Sequence, residues 1–274
     1  MKKICSHLFA AIFVWALSVG SGQANSQVIV LEDIAKVDVL PGWRTDGGTH
    51  MAAIRIQLAP GWKTYWRAPG DAGIPPQFSW AGSQNLTAVQ LHWPTPKAFL
   101  QNGLRSIGYS EQVIIPLELT PNAVGDLIRL RGEVQLGVCE EICLPMNIDL
   151  VADLTPTRQS DPAIVNSLND QPITAKAAGV RSVICVIDPI ADGLKVTAQI
   201  VVPKQGSNDI AIMEFSDQTV WVSEAVTTRR GNTLSISSDM VPPNAAPFLM
   251  DRSEIRITIL GDRRAIDVQG CPAS

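Results

Sequence analysis

The chain has 274 residues, 46% hydrophobic and 18% charged, with a formal net charge of -4 and five cysteines. That length supports one large domain or two modest ones, and the composition excludes a disordered chain. The mild acidity excludes a basic nucleic-acid surface, and five cysteines are too few for a disulfide-built miniprotein.

The chain opens with a basic MKK, an apolar run over residues 8–20 and the small residues SGQANS. This pattern predicts a secretory signal over residues 1–24, cut near Ala24 and too short to span a bilayer. Cys5 lies inside it, so cleavage turns an odd set of cysteines into an even four, and loss of Lys2 and Lys3 takes the charge from -4 to -6. No later stretch is apolar enough to cross a membrane. A soluble, exported protein is expected, in a compartment where disulfides form.

Apolar residues then alternate with polar ones, the period of half-buried strands. Candidates are VIVLEDI, KVDVL, MAAIRIQL, PQFSW, LTAVQLHW, EQVIIPLEL, LIRLRGEVQLGVC and CLPMNIDLVADL. Turn pairs separate them, beginning with Pro41 and Gly42. Many short strands of this kind predict an antiparallel sandwich over residues 26–155. Residues 156–178 read as a linker rich in Pro, Ser, Thr and Asn, in which Ser160, Asp161 and Pro162 can start a short helix, PAIVNSLND. Alternation resumes over 179–274, where Leu194, Val196, Ala198, Ile200 and Val202 share one face and Ile255, Ile257 and Ile259 another. Gly261 and Asp262 mark a hairpin turn. The fold class is therefore all-β: two sandwich domains joined by a linker with a short helix.

Cys139 and Cys143 form a Cys-x-x-x-Cys pair in GVCEEICLP. Both have the parity of the polar set of their flanking strands, which predicts a hairpin with both thiols on its outer face, near enough to bridge. A disulfide closing so small a loop removes little chain entropy, whereas an exposed one is open to a partner's thiolate. Thiol-disulfide exchange is the favoured reading, beside a simple hairpin staple and a Cu(I) site using Met146. Met146 has the inward parity, His50 and His92 are distant in sequence, and no second pair completes a zinc tetrad. Glu140 and Glu141 either raise the thiol pKa, suiting a disulfide that waits to be attacked, or simply solubilise the turn. Cys185 and Cys271 read as a structural bridge from the C-terminal tail to the first strand of the second domain, a second redox pair being the alternative. Five tryptophans (43, 62, 66, 80 and 93) with Tyr65 and Tyr109 crowd the first domain. Either they anchor its core, or some, with Tyr65, Trp66 and Tyr109 as candidates, dock a partner near the cysteines.

GWKTYWRAPGDAGIPP, FLQNGLRSIGYSEQVIIPLEL and GVCEEICLP, in that order, resemble the N-terminal periplasmic domain of the DsbD and ScsB thiol-disulfide reductases. The resemblance covers residues 28–155. The part after the linker looks like the second, immunoglobulin-like region of longer ScsB-type ectodomains. The resemblance implies immunoglobulin-like sandwiches and a periplasmic module that relays electrons from a membrane reductase to oxidised periplasmic proteins. It implies exchange at Cys139 and Cys143, the mixed disulfide forming on Cys143, and a cap over the pair at residues 99–103 with Phe99 as its aromatic. The three residues between the cysteines are fewer than in DsbD and closer to ScsB. The chain carries neither the membrane domain nor a thioredoxin-like domain. A separate membrane electron carrier of the DsbD/CcdA type is therefore expected, with thioredoxin-like periplasmic proteins as donor or acceptor. No cofactor, resident metal or nucleic acid is expected. A copper-binding module or a structural immunoglobulin-like adaptor is the alternative.

Overall fold

A computed structural model describes residues 31–71, 73–101, 103–246, 248–262 and 264–273. The predicted signal with Cys5 and the cut near Ala24 lies outside the described residues. Among them, no helix is long and apolar enough to cross a membrane.

A helical turn, α1 (Leu31–Ile34), leads into β1 (Ala35–Arg44), β2 (His50–Leu58), β3 (Lys63–Tyr65), β4 (Gln77–Ser79) and β5 (Ala88–Leu91). Then come β6 (Lys97–Gln101), β7 (Leu104–Ser110), β8 (Gln112–Thr120), β9 (Ile128–Cys139) and β10 (Cys143–Leu154). They form two sheets, ordered β1-β2-β8-β5 and β10-β9-β3-β7-β6, with β4 also on β9. Ile54, Ile56, Ile115, Leu117, Leu130 and Val134 meet between them. Two expectations are corrected. Residues 31–34 of VIVLEDI are helical, not extended. Pro41 and Gly42 do not end a strand: β1 runs on through them with a register shift between Leu40 and Trp43. Only glycine fits there, because its φ is 62° and a Cβ would fall 1.7 Å from the Met51 carbonyl oxygen.

The linker is ordered. Asp161 caps α2 (Pro162–Asn169), its carboxylate accepting the Ala163 N–H at 2.8 Å, and Pro162 needs no N–H partner at the first turn. The helix lies on the first sandwich: Ile164 is fully buried with Met51 and Ala53, and Ser167 Oγ donates to the Ile114 carbonyl. This explains why β2 is buried on both faces, with Ala52, Ile54 and Ile56 facing the core and Met51 and Ala53 facing the helix.

The chain continues through β11 (Ile173–Thr174), β12 (Ser182–Pro189), β13 (Leu194–Val201), β14 (Ile210–Phe215) and β15 (Trp221–Val222). It ends with β16 (Val226–Arg230), β17 (Thr233–Val241), β18 (Ile255–Leu260) and β19 (Ala265–Gln269). The sheets are β11-β19-β18-β14 and β12-β13-β17-β15, with β16 also on β17. The alternating residues Val196, Ala198, Ile200, Ile236, Ile255, Ile257 and Ile259 fill the space between them. Strand β14 serves two cores: Ala211 and Met213 face the second sandwich, while Ile210 and Ile212 pack on the first. The protein is thus nearly all-β, with immunoglobulin-like sandwich architecture.

Cys185 in β12 and Cys271 after β19 are bonded, with Cα atoms 5.4 Å apart and both side chains in the second core. Strict alternation along β19 would put Cys271 on the face of Asp267 and Gln269. The chain turns at Gly270, whose φ of 78° breaks the alternation and swings Cys271 inward. Replacing both cysteines with alanine is expected to lower the unfolding free energy in a urea titration by roughly 2–5 kcal/mol. An unchanged midpoint would show that the bridge does not hold the tail.

Candidate functional site

β9 and β10 stay in register along their whole length, from Ile128 opposite Leu154 to Cys139 opposite Cys143. The cysteines are the last facing pair before the loop, with Cα atoms 4.1 Å apart, and are joined as a disulfide. Their shared face is the one predicted from parity. Their exposure differs: Cys143 is exposed, but Cys139 is only 1% exposed. The expectation that both thiols lie open is corrected for Cys139.

The cause is a non-local roof. β3 pairs with β9, setting Lys63 opposite Cys139 and Thr64 opposite Val138. Tyr65 therefore falls beside Gly137, on the face that Gly137 shares with Cys139. A Cβ on Gly137 would lie 2.8 Å from Ile74 Cβ and 3.1 Å from Tyr65 Cδ2, so the missing side chain lets the roof close. The Tyr65 hydroxyl donates to Cys139 Sγ at 2.7 Å and stands 3.4 Å from Cys143 Sγ. Burial raises the Tyr65 pKa further above neutrality, where the phenol is already protonated and a donor.

A second contact comes from the β6–β7 hairpin, the segment predicted as a cap. Gln101 Nε2 donates to the Glu140 carbonyl at 2.9 Å, and Lys63 Nζ donates to Gln101 Oε1 at 2.8 Å. The same ammonium lies 5.6 Å from the centre of the Phe99 ring. Burial lowers the Lys63 pKa. Phe99 thus sits beside the site through Lys63, while Gln101, on the same face of β6, grips the disulfide loop. Glu140 folds back over the turn at Gly61, where a Cβ would meet its Oε1 at 2.6 Å. Ile142 is 70% exposed at the loop tip, and Leu100 is 74% exposed on the hairpin.

Of the four aromatic candidates, Tyr65 touches the sulfurs and Phe99 is linked to the site only through Lys63. Trp66 is fully buried in the sandwich core, and Tyr109 is buried with its hydroxyl donating to the Pro94 carbonyl at 2.8 Å. Neither is presented to a partner. Burial holds the Tyr109 pKa well above its ordinary value. Among the described residues, no group of three or more His, Cys, Asp or Glu could hold a metal. Met146 packs with Ile34, Ala35 and Val138, in a buried cluster that does not include the cysteines. His50 is buried, with Nε2 2.6 Å from the Pro41 carbonyl oxygen, and burial lowers its pKa. His92 lies 3.2 Å from Glu118 Oε2. Lys63, Ile74 and Gly137 give no spacing signal as site residues: β3–β9 pairing brings Lys63 and Gly137 to the pair, and the β3–β4 connection brings Ile74.

The family profile described as thiol:disulfide interchange protein DsbD, N-terminal, matches residues 28–155. Residues 28–155 are a DsbD-type N-terminal domain. Among solved structures, the N-terminal periplasmic domain of ScsB from Proteus mirabilis is similar, with a TM-score of 0.68 and 22% identity. The likeness covers 90% of this chain and 96% of that one, so the shared fold includes both sandwiches. No curated protein matches the sequence. The Cys139–Cys143 disulfide fits membership of the thiol-disulfide interchange family.

Tyr65→Phe keeps the roof and removes the donor. A hydrogen bond to a charged group is worth about 1.5–3 kcal/mol, so reduction of Cys139–Cys143 by dithiothreitol should slow by about ten- to a hundredfold. Thiol quantification over time reads this directly. A rate equal to wild type would show that the hydroxyl does not assist Cys139.

Proposed function

We propose that the protein is an exported, two-domain protein of the bacterial periplasm whose DsbD-type domain exchanges disulfides with other proteins. The observation that carries this reading is the asymmetry of the pair: one sulfur exposed, its partner buried against a hydroxyl donor. In the reduced state, the Cys143 thiolate attacks a disulfide of an oxidised protein. A mixed disulfide forms on Cys143, and the first substrate sulfur leaves as a thiolate. The Cys139 thiolate then attacks Cys143 Sγ, closing Cys139–Cys143 and releasing the second substrate sulfur. Two electrons and two protons pass to the substrate. In regeneration, a dithiol donor attacks Cys143 Sγ, and Cys139 leaves as a thiolate beside the Tyr65 hydroxyl. The donor's second thiolate then attacks the donor sulfur of the mixed disulfide and frees Cys143.

The donor we propose is a membrane reductase of the DsbD/CcdA type, acting directly or through a thioredoxin-like protein. Oxidised periplasmic proteins, thioredoxin-like ones among them, are the acceptors. Phe99 and Gln101 act as the cap edge that a partner meets on its way to Cys143. The Cys185–Cys271 bridge, buried on both sides, remains structural.

Cys139→Ala leaves Cys143 unable to resolve a mixed disulfide. This variant should accumulate a one-to-one protein adduct in the periplasm, visible on non-reducing gels and cleaved by reductant. Cys143→Ala should accumulate none. The reverse pattern, or no adduct from either variant, would refute the exchange reading.

A further inference from the structure

The roof over Cys139 is paired into the first sandwich through β7 and β9, and the segment behind it also reaches the second. Tyr65 continues into residues 66–71, a segment strapped to β7: the Trp66 N–H donates to the Ile107 carbonyl at 3.0 Å, and the Ile107 N–H donates to Pro69 at 2.8 Å. From this segment Arg67 reaches the second sandwich. Its guanidinium lies 4.0 Å from the Trp66 ring centre and forks onto Glu214 of β14, Nε to Oε1 at 2.8 Å and Nη2 to Oε2 at 3.0 Å. Both side chains are 17% exposed. A two-pronged pair with this little solvent is far less screened than a surface pair and fixes orientation as well as distance. A second arginine, Arg105 of β7, pairs with Glu224 beyond β15, and both pairs border one cleft between the sandwiches. Both cations lie on elements that frame the disulfide, and both anions lie on the second sandwich.

We propose that Arg67 and Glu214 are positioning residues for disulfide exchange: through this ion pair the second sandwich holds Tyr65 against Cys139. This rests on the exchange reading and gives the second sandwich a part in it. Cys143 is already exposed, so loosening the segment would not open a path to it. Loosening would let the Tyr65 hydroxyl drift from the sulfur that must leave. The ion pair therefore acts through Tyr65 or not at all, which makes the two removals non-additive.

The test is a cycle read by the rate at which dithiothreitol reduces Cys139–Cys143 in the full chain, with Cys185–Cys271 as an internal control of folding. Glu214→Ala should slow reduction about threefold or more, and Glu214→Asp should restore most of the rate. In a Tyr65→Phe background, Glu214→Ala should add no slowing. A wild-type rate in Glu214→Ala, or the same threefold loss on top of Tyr65→Phe, would overturn the proposal. If Glu214→Ala does not fold, Glu214→Gln keeps the side-chain volume and removes the charge, and the same comparisons apply. Amide hydrogen exchange at Trp66 and Ile107 reports the strap without any thiol chemistry. Protection there should fall in the Glu214 variant, and unchanged protection would overturn the proposal. Failure of the exchange reading would look different, with a wild-type disulfide that dithiothreitol cannot open in the folded protein.

Discussion

The exchange chemistry proposed for this protein depends on one rung of one ladder. The β9–β10 pairing brings Cys139 and Cys143 together at its last position, so the disulfide forms where the backbone already holds its ends. Closing a four-residue separation is worth about 2 kcal/mol on the chain-entropy model, against about 4–5 kcal/mol for the 86-residue separation of Cys185 and Cys271. The paired strands have already lost much of the smaller entropy. The hairpin bond can therefore open and close at little cost to the fold, while the other is a long-range tie sealed in a core. The molecule separates its two disulfides by loop size and by access.

What the ladder does not supply, the neighbouring strands do. β3 is three residues long, yet it sets Tyr65 beside Gly137 and so decides which sulfur is covered. The difference between the two cysteines is thus a tertiary property of a local motif. In the proposed exchange it would set the roles: the exposed sulfur would meet the partner, and the covered one would leave or return with a hydroxyl at 2.7 Å.

Much of this was legible in the sequence. Parity placed both cysteines on one face of a hairpin and across from each other, since the alternation of Val134, Leu136 and Val138 with Gln135 runs straight to Cys139. The Asp161 and Pro162 chemistry marked the start of α2. The misses share a cause. Cys139 was expected to be open because alternation reports the face of a strand but not what another strand lays over it. Trp66 and Tyr109 read equally as core anchors or docking residues, and their burial decides for the core. Arg67 and Glu214 are 147 residues apart, and nothing in either neighbourhood names the other. Pro41 and Gly42 look like a turn, yet the pairing of β1 with β2 absorbs them as a bulge.

The most direct test of this account is a redox titration of the folded protein in thiol buffers of graded potential, with alkylation and mass mapping of all four cysteines at each point. The account predicts that Cys139 and Cys143 become labelled together as a single two-electron couple, with a tenfold change in equilibrium constant for about every 30 mV, while Cys185 and Cys271 stay unlabelled. Joint reduction of both disulfides, or a Cys139–Cys143 bond that yields only when the protein unfolds, would contradict it.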